Sequence, residues 1–316
     1  MSSVTGVRPA RPRRRAAPRL RLRGATRRIG RALAHGALIA LCLVTLAPCL
    51  WMVSTSLQSR SMLFSVPPIV IPDPPIFRNY VEATTAIPFV TYLRNSLYIT
   101  LFNVVGTTLS SALVAYGFAR LRWPGRDLLF GLVVATMFLP GVVTLVPTYV
   151  IFNAMGWIGT FHPLTIPSLT SGSFYVFLLR QFFMRIPEEL SEAARLDGAS
   201  EVRILWRIIL PLSAPALATV AVFTFVAVWH DFMGPLIYLS DPTMWTLPVG
   251  LYAFIGKYDT QWNLLMAAGV LFTLPPLVIF FVGQRAFAGA GIVPTRLGRD
   301  RDSAATARGA GAAPDR

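Results

Sequence analysis

Six long apolar segments constrain the fold of this chain more than any other feature of its sequence. To within a few residues, they cover 34–56, 96–119, 128–152, 164–184, 209–230 and 264–283. Each is close to the roughly 20 residues that an α-helix needs to cross a bilayer. Only 14% of the residues are charged, against about 25% in a typical soluble domain. We therefore predict an all-α polytopic membrane protein with six transmembrane helices.

The basic residues are distributed unevenly among the segments that link the predicted spans. Of the 29 Lys and Arg residues, 25 lie before the first span, in loops 2–3 and 4–5, and after the last span, and only four lie in the other connections. The positive-inside rule then places both termini in the cytoplasm. An arginine-rich chain can also bind nucleic acid, but topology accounts for this placement. We expect contact with lipid headgroups and no nucleic-acid partner.

These spans divide the chain into segments with different environments. We predict a cytoplasmic Arg-rich tail over 1–33, a first transmembrane helix over 34–56, an extracytoplasmic loop over 57–90, a five-helix core over 91–285 and a cytoplasmic tail over 286–316. The extracytoplasmic loop contains VPPIVIPDPPIF at 66–77. Because proline restricts its own backbone and that of the preceding residue, we expect this loop to be extended rather than helical.

A charged stretch separates the fourth and fifth apolar segments. Residues 188–207 carry eight charges, and each would cost about 3 kcal/mol near the bilayer centre. The stretch must therefore lie in water or against protein. Acidic residues from Glu188 onward suit the start of a helix after Pro187. Gly198 can end that helix, and Ser200 can cap a second one, so we predict a helix–turn–helix.

Each of these two helices carries an apolar face in the sequence pattern. The first face comprises Leu190, Ala193, Ala194 and Asp197, where two alanines would let the backbone of another protein approach closely. The second face comprises Val202, Leu205, Trp206 and Ile209. An amphipathic loop that rests on lipid headgroups would show a similar pattern, so the periodicity alone leaves both interpretations open.

The residue spacing in this stretch resembles the EAA loop of ATP-binding-cassette (ABC) importer permeases. EAARLDGA at 192–199 is followed by IILP at 208–211, between two predicted spans on the basic side. In that family the loop docks in a cleft of a cytosolic ATPase. The resemblance implies a coupling loop over 186–211, and it assigns ATPase coupling to Glu192, Ala193, Ala194, Asp197, Gly198, Ala199, Leu210 and Pro211.

Further segments between about residues 90 and 285 resemble carbohydrate-type permeases, in the branch of the smaller maltose-permease subunit. The similar stretches include LRNSL at 93–97, AYGFARLRWPGRDLLF at 115–130, VWHDFMGPL at 228–236 and LPVGLYAF at 247–254. The resemblance identifies 91–285 as an ABC permease core with the type I ABC importer (MetI-like) fold. It implies a bacterial cell membrane importer for a sugar or oligosaccharide, with glycerol phosphate or another small polar solute as the alternative.

The same resemblance implies the partners of the chain. They are a second permease subunit in a heterodimer, two cytosolic ABC ATPases and an extracytoplasmic solute-binding protein. The sequence contains no GxxxxGK[ST] motif for ATP phosphates and no HExxH zinc motif. We therefore expect a transport subunit without enzymatic activity, which binds no cofactor or metal and depends on ATP used by its partners.

A cluster of aromatic and ionisable residues ends the fifth apolar segment. Trp229, His230, Asp231 and Phe232 lie in a motif where the similar permeases commonly have Asn in place of His230. Ionisable residues at membrane depth are functional candidates, so we predict that these four residues line or gate the translocation path. The alternative is an interfacial aromatic belt with Asp231 solvated at the membrane edge.

Overall fold

The computed structural model describes residues 20–256 and 260–290. In this part of the chain the secondary structure is helical, apart from one isolated β-bridge between Ile255 and Thr260. The prediction of an all-α chain is confirmed for these residues. Most of the two predicted tails, at 1–19 and 291–316, lies outside the described residues.

The helices of the first half begin with one long element and continue with short and long helices in alternation. In chain order they are α1 (Leu20–Ser56), α2 (Arg60–Leu63), α3 (Arg78–Ala86), α4 (Phe89–Arg120), α5 (Arg126–Thr136), α6 (Gly141–Ala154) and α7 (His162–Thr165). A 3-10 helix follows α7 at Ile166–Thr170. Helix α1 begins inside the predicted tail, because the Arg-rich residues from Leu20 onward continue the helix of the first span.

The second half contains the coupling-loop helices and two further long helices. In chain order its helices are α8 (Ser173–Phe183), α9 (Glu188–Leu196), α10 (Glu201–Ile204), α11 (Leu210–Leu212), α12 (Ala214–Trp229), α13 (Met233–Tyr238), α14 (Leu247–Tyr252) and α15 (Trp262–Ala290). A π-helical turn at Leu205–Ile209 joins α10 to α11, and a 3-10 helix lies at Pro242–Met244. The chain divides into two units, one up to Val53 and one from Ser54 onward.

Among the described residues, three helical stretches are long and apolar enough to cross a membrane by themselves. They are Leu33–Ser56, Phe89–Arg120 and Trp262–Val282. Two pairs of helices pass the same test together, α5 with α6 at a bend of 100° and the α10–α11 stretch with α12 at 79°. The described chain thus has three candidate spans, or five if each bent pair counts as one.

Breaks in the helical backbone interrupt two of the predicted spans. Helix α5 ends at Thr136, and Pro140, which is extended, precedes α6; a proline also disfavours helix at the residue before it. The segment 164–184 is not one helix, because α7 gives way to a 3-10 helix and Ser171 adopts a positive φ of 69° before α8. The six continuous helices that the sequence predicts are therefore not all present.

Two buried hydrophobic clusters form the core from Ser54 onward, one at each end of α4. The first combines the C-terminal end of α4, including Ala115, with α8, the coupling loop and the N-terminal end of α12. The second combines the N-terminal end of α4, including Tyr92, with α3, α14, α15 and the C-terminal end of α12. Helices α4 and α12 are therefore antiparallel, and the coupling loop packs at one end of this pair.

The predicted extracytoplasmic loop contains two helices, so the expectation that it is extended throughout is wrong. Helix α3 covers its last part, and Ala83 on that helix joins the second hydrophobic cluster. Asn79 anchors the helix by donating hydrogen bonds to the carbonyl oxygens of Ser56 and Gln58, at 2.8 and 2.9 Å. Burial of one face of α3 outweighs the extended preference of the preceding prolines.

Candidate coupling site and transport path

The first helix of the coupling loop has the bounds that its sequence signals predict. Pro187 precedes α9, which ends at Leu196. Gly198 has a φ of 78°, the left-handed conformation that favours glycine at a helix C-terminus. The Ala199 amide then donates to the Ala194 carbonyl over 2.9 Å. This turn reverses the chain within four residues and presents both coupling-loop helices at the same end of α4.

The second helix begins as predicted but buries a partly different face. The Ser200 hydroxyl accepts a hydrogen bond from the Arg203 amide over 3.4 Å, which caps α10. Ile204, Leu205 and Ile209 are buried in the first hydrophobic cluster. Val202 and Trp206, which belong to the predicted apolar face, are exposed. The prediction is confirmed for Leu205 and Ile209 and wrong for Val202 and Trp206, because Ile204 and the half-buried Ile208 complete the inward face.

The two alanines of the predicted first face do not lie on the same side of α9. Ala193 is exposed, whereas Ala194 packs against the first hydrophobic cluster beside the fully buried Ser191. The helix turns about 100° per residue, so adjacent positions diverge when one of them faces the core. Ala193 is therefore the more accessible of the two alanines, and the half-buried Ala194 contributes less to the predicted flat face.

Several apolar side chains of both helices point away from the protein. We define the outer surface of the coupling loop by these exposed side chains, Leu190, Ala193, Leu196, Val202 and Trp206. Leu196 is 89% exposed, and Glu192, Asp197 and Gly198 near it are also exposed. Large exposed apolar residues on a charged loop are typical of a protein interaction site. Of the remaining predicted residues, Ala199 and Leu210 pack against the first hydrophobic cluster, and Pro211 is exposed on α11.

An ion pair and a tyrosine hydrogen bond fix the inner side of the loop. Arg195 Nε donates to Glu201 Oε1 over 2.7 Å, and the Tyr116 hydroxyl of α4 donates to Glu201 Oε2. The hydrogen bond with Glu201 raises the pKa of the Arg195 guanidinium above its ordinary value. The contact between Tyr116 and Glu201 could not be predicted from the sequence, because the two residues are 85 positions apart.

The structure separates the four candidate residues of the translocation path. Trp229 is 1% exposed and stacks between two phenylalanine rings, Phe225 and Phe272, with ring centroids 5.5 Å away on each side. Its Nε1 atom donates to the Phe272 carbonyl over 3.1 Å. These contacts make Trp229 a packing residue of the second hydrophobic cluster, and its side chain also borders the cavity described below.

The next two candidates have different surroundings. His230 is exposed, and its Nδ1 atom lies 2.9 Å from the Val226 carbonyl oxygen. The Phe232 ring packs against Tyr252 at a centroid distance of 5.8 Å. Neither ring is directed toward the cavity described next, since neither contributes to its lining.

Asp231 borders a cavity of about 230 Å³ between α4, α7, α12 and α13. Its Oδ1 atom accepts a hydrogen bond from the Gly234 amide over 3.1 Å. The polar side chains that line the cavity are Ser96, Thr100, Asn103, Asp231, Tyr238 and Thr246. The Thr246 hydroxyl is buried without a hydrogen-bond partner. Asp231 is the only Asp, Glu, Lys or Arg side chain in this lining.

The described residues contain no group of three or more His, Cys, Asp or Glu side chains that could hold a metal ion. What the structure does contain is a helical membrane core with an anchored, outward-facing charged loop at one end. Residues 109–290, more than half of the chain, match a family described as "Binding-protein-dependent transport system inner membrane component".

The chain belongs to this family. The resemblance seen in the EAA-type spacing is thereby confirmed, and the chain is an inner membrane permease of the ABC importer type. The family match covers the whole coupling loop and, of the four helices around the cavity, α7, α12 and α13, whereas the cavity-lining residues of α4, from Ser96 to Asn103, lie before its first residue.

Relatives of this permease include proteins that are named for different substrates. It is 36% identical to the sn-glycerol-3-phosphate transport system permease protein UgpE of Yersinia pestis, over 72% of this chain and 83% of the relative. It is 30% identical to the diacetylchitobiose uptake system permease protein NgcG of Streptomyces coelicolor, over 82% and 86% of the two chains. A putative ABC transporter permease protein of Caldicellulosiruptor is 36% identical over 77% of this permease and 88% of the relative.

A solved structure supports the fold assignment. A chain of a bacterial ABC transporter that imports the acidic polysaccharide alginate superposes on this permease with a TM-score of 0.74 at 22% identity. The match covers 83% of this permease and 98% of that chain. The MetI-like permease fold predicted from the sequence is thus confirmed, whereas the count of six spans is not.

Proposed function

We propose that this permease forms half of the translocation path of an ATP-driven importer, and that its coupling loop 186–211 receives the cytosolic ATPase. The observation that carries this proposal is the two-sided construction of the loop. Its inner side is fixed to α4 and α8 by Ile204, Ile209 and Glu201, and its outer surface presents apolar side chains to a partner. A loop built in this way can transmit force from a bound protein to the membrane helices.

We further propose a six-span topology and a set of partner proteins for this permease. Six membrane passages, with the interrupted segment 164–184 as the fourth, place both termini and the coupling loop in the cytoplasm, in agreement with the positive-inside rule. The partners are a second permease subunit in a heterodimer, two ATPases and an extracytoplasmic solute-binding protein. The ATPases supply the ATP chemistry. Shifting a two-state path from 1:99 to 99:1 needs about 5.5 kcal/mol, which binding and hydrolysis of ATP can provide.

We assign a neutral sugar or oligosaccharide as the solute, with glycerol phosphate as the alternative. One relative is named for diacetylchitobiose and another for glycerol phosphate, and they support the saccharide and the phosphate class respectively. The Asp231 carboxylate favours the neutral class, because an anion close to a second negative charge in a partly buried site is destabilised. In this assignment Asp231 faces the path, Trp229 and Phe232 hold the surrounding helices, and His230 lies at the exposed end of α12.

Co-purification tests the coupling role directly. The permease carries an affinity tag and is isolated from its native membrane in mild detergent, and the proteins that stay bound are identified by mass spectrometry. We expect an ABC ATPase in stoichiometric amount with the wild-type chain and its loss with Glu192→Lys. The matched control is Glu82→Lys, a charge reversal at an exposed carboxylate of α3 at the opposite end of α4. Equal ATPase recovery with both variants would contradict the docking role of the loop.

Uptake measurements test the solute. Vesicles that contain the complete transporter and its binding protein are supplied with ATP inside and with radiolabelled diacetylchitobiose or sn-glycerol 3-phosphate outside. We expect ATP-dependent accumulation of the neutral saccharide in preference to the phosphate. Faster accumulation of glycerol phosphate would refute the role given to the Asp231 charge while leaving the coupling role intact.

A further inference from the structure

One carboxylate joins three helices at the coupling-loop end of α4. Glu201 of α10 accepts a hydrogen bond from the Tyr116 hydroxyl of α4 through Oε2. Through Oε1 it accepts a second bond, 2.7 Å long, from Arg195 Nε of α9. The two oxygens of Glu201 are therefore used by two different helices, and Glu201 connects both coupling helices to the longest helix from Ser54 onward.

The two bonds to Glu201 differ in exposure, because the Arg195 and Glu201 side chains are 35% and 39% exposed, so solvent weakens that ion pair. A hydrogen bond to an ionised group contributes roughly twice as much as a bond between neutral groups. Tyr116 is only 4% exposed, and a buried tyrosine hydroxyl needs a partner. The peptide connection between α9 and α10 is the short turn around Gly198. The Glu201 contacts act together with this turn and with the buried apolar side chains to hold α9, α10 and α4 in place.

A second set of hydrogen bonds, which we call the second joint, lies at the N-terminal end of α9. Arg120, the last residue of α4, donates through Nη2 to the carbonyl oxygens of Phe183 (2.6 Å) and Ile186. Arg180 of α8 donates through Nε to the Phe118 carbonyl over 3.2 Å. Carbonyl groups at helix C-termini lack partners within the helix, so these arginines satisfy them. Helix α9 starts directly after this joint and ends at the Arg195–Glu201 contact.

We propose that Glu201 is a positioning residue for energy coupling, which makes α4, α9 and α10 move as one rigid body when the ATPases close. This proposal rests on the proposed function, because the force enters through an ATPase docked on the outer surface. The buried apolar side chains of the loop hold it against α4 and α8 without Glu201. Loss of the Glu201 bonds should therefore leave the loop attached but free to pivot.

The chain offers a matched control for this carboxylate. Glu188, at the start of α9, pairs with Arg122 at 3.4 Å, and the two side chains are 50% and 85% exposed. Exposed ion pairs of this kind contribute little. Glu188→Gln removes a coupling-loop carboxylate, as Glu201→Gln does, but it breaks no contact with the membrane helices.

Distance measurements between α9 and α4 test the proposal in the intact transporter. Spin labels are attached through non-natural amino acids at two exposed positions, Glu189 on α9 and Leu113 on α4, so that cysteines of the partner chains stay unlabelled. Pulsed electron paramagnetic resonance then gives the distribution of distances between the two labels, without nucleotide and with ADP and vanadate. For the wild type and for Glu188→Gln we expect one narrow distribution that is the same in both states.

The two test variants break different bonds. Glu201→Gln removes the charge that holds Arg195, and Tyr116→Phe removes the bond to α4 while keeping the Arg195 contact. We expect both variants to retain bound ATPase but to show a broader distribution and a shift of several ångströms between the two nucleotide states. Distributions identical to the wild type in both variants would overturn the proposal, as would a nucleotide-dependent shift in the wild type. Absence of an ATPase from the purified wild-type complex would instead refute the proposed function.

Discussion

Replacement of Gly198 gives the sharpest quantitative prediction for the coupling loop. Gly198 has a φ of +78°, and a Cβ atom added to it would meet nothing within 4 Å. The cost of an alanine is therefore conformational rather than steric, about 1 to 2 kcal/mol for an L-residue in the left-handed region. Asparagine visits this region more readily, so Gly198→Asn should cost clearly less than Gly198→Ala.

This free energy converts into an expected loss of affinity. If the turn relaxes in the free permease, the docking geometry must be restored on binding, and 1 to 2 kcal/mol corresponds to roughly a 5- to 30-fold change in an equilibrium. We expect Gly198→Ala to weaken ATPase binding by about this factor. The measurement is the dissociation constant of the purified ATPase for immobilised permease in detergent or nanodiscs.

A matched glycine separates docking from general stability. Gly156, in the turn after α6, has a φ of +70° and equally open surroundings. Gly156→Ala should carry a similar conformational cost without weakening ATPase binding. Wild-type affinity in Gly198→Ala would refute the reasoning. If Gly198→Asn weakened binding as much as Gly198→Ala, a steric clash with the partner, not the turn conformation, would be the cause.

Three further predictions follow from the opposite end of the fold. Trp229→Ala should lower the free energy of unfolding by about 3–5 kcal/mol, because it removes a fully buried stacked ring. An unchanged thermal midpoint together with an altered solute specificity would show that Trp229 acts on the path and not on stability. Gly250→Ala should lower the free energy of unfolding by about 1–3 kcal/mol, because the added methyl group overlaps the Tyr92 ring. The control Gly117→Ala, which has open space around it in α4, should leave the stability unchanged. Equal melting curves for the two variants would refute the close packing. Asp231→Asn keeps an oxygen for its hydrogen bond but removes the charge, so the uptake ratio of phosphorylated to neutral solute should rise; an unchanged rate and ratio would exclude an electrostatic role.

Local signals in the sequence were sufficient to predict the coupling loop. Pro187, Gly198 and Ser200 each act through the backbone within a few residues, so their effect does not depend on the rest of the fold. The bounds of α9 and the cap of α10 match these signals. The burial of each helix face could not be predicted in the same way, because it depends on where α4 and α8 lie.

Contacts between distant residues decide the parts that the sequence did not predict. The position of Glu201 in the first turn of α10 indicates only that it favours a helix start, and its partner Tyr116 is revealed by the packing of α10 on α4. Trp229 was predicted to line or gate the path, and its enclosure by two phenylalanines from different helices could not be predicted from neighbouring residues in the sequence. The break at Ser171 is equally non-local, since the 3-10 helix before it packs on α4 through a hydrogen bond from Ser110 to the Ser168 carbonyl.

Site-specific photocrosslinking tests the central claim most directly, namely that the coupling loop receives an ATPase on the cytoplasmic side. A photoreactive residue replaces Leu196, which is 89% exposed on the outer surface of the coupling loop, or Val66, which is 95% exposed in the predicted extracytoplasmic loop. Cells are irradiated, and the products attached to the permease are identified by mass spectrometry. We predict an ABC ATPase adduct from Leu196 and none from Val66. No ATPase adduct from Leu196, or an equal yield from both positions, would contradict the account.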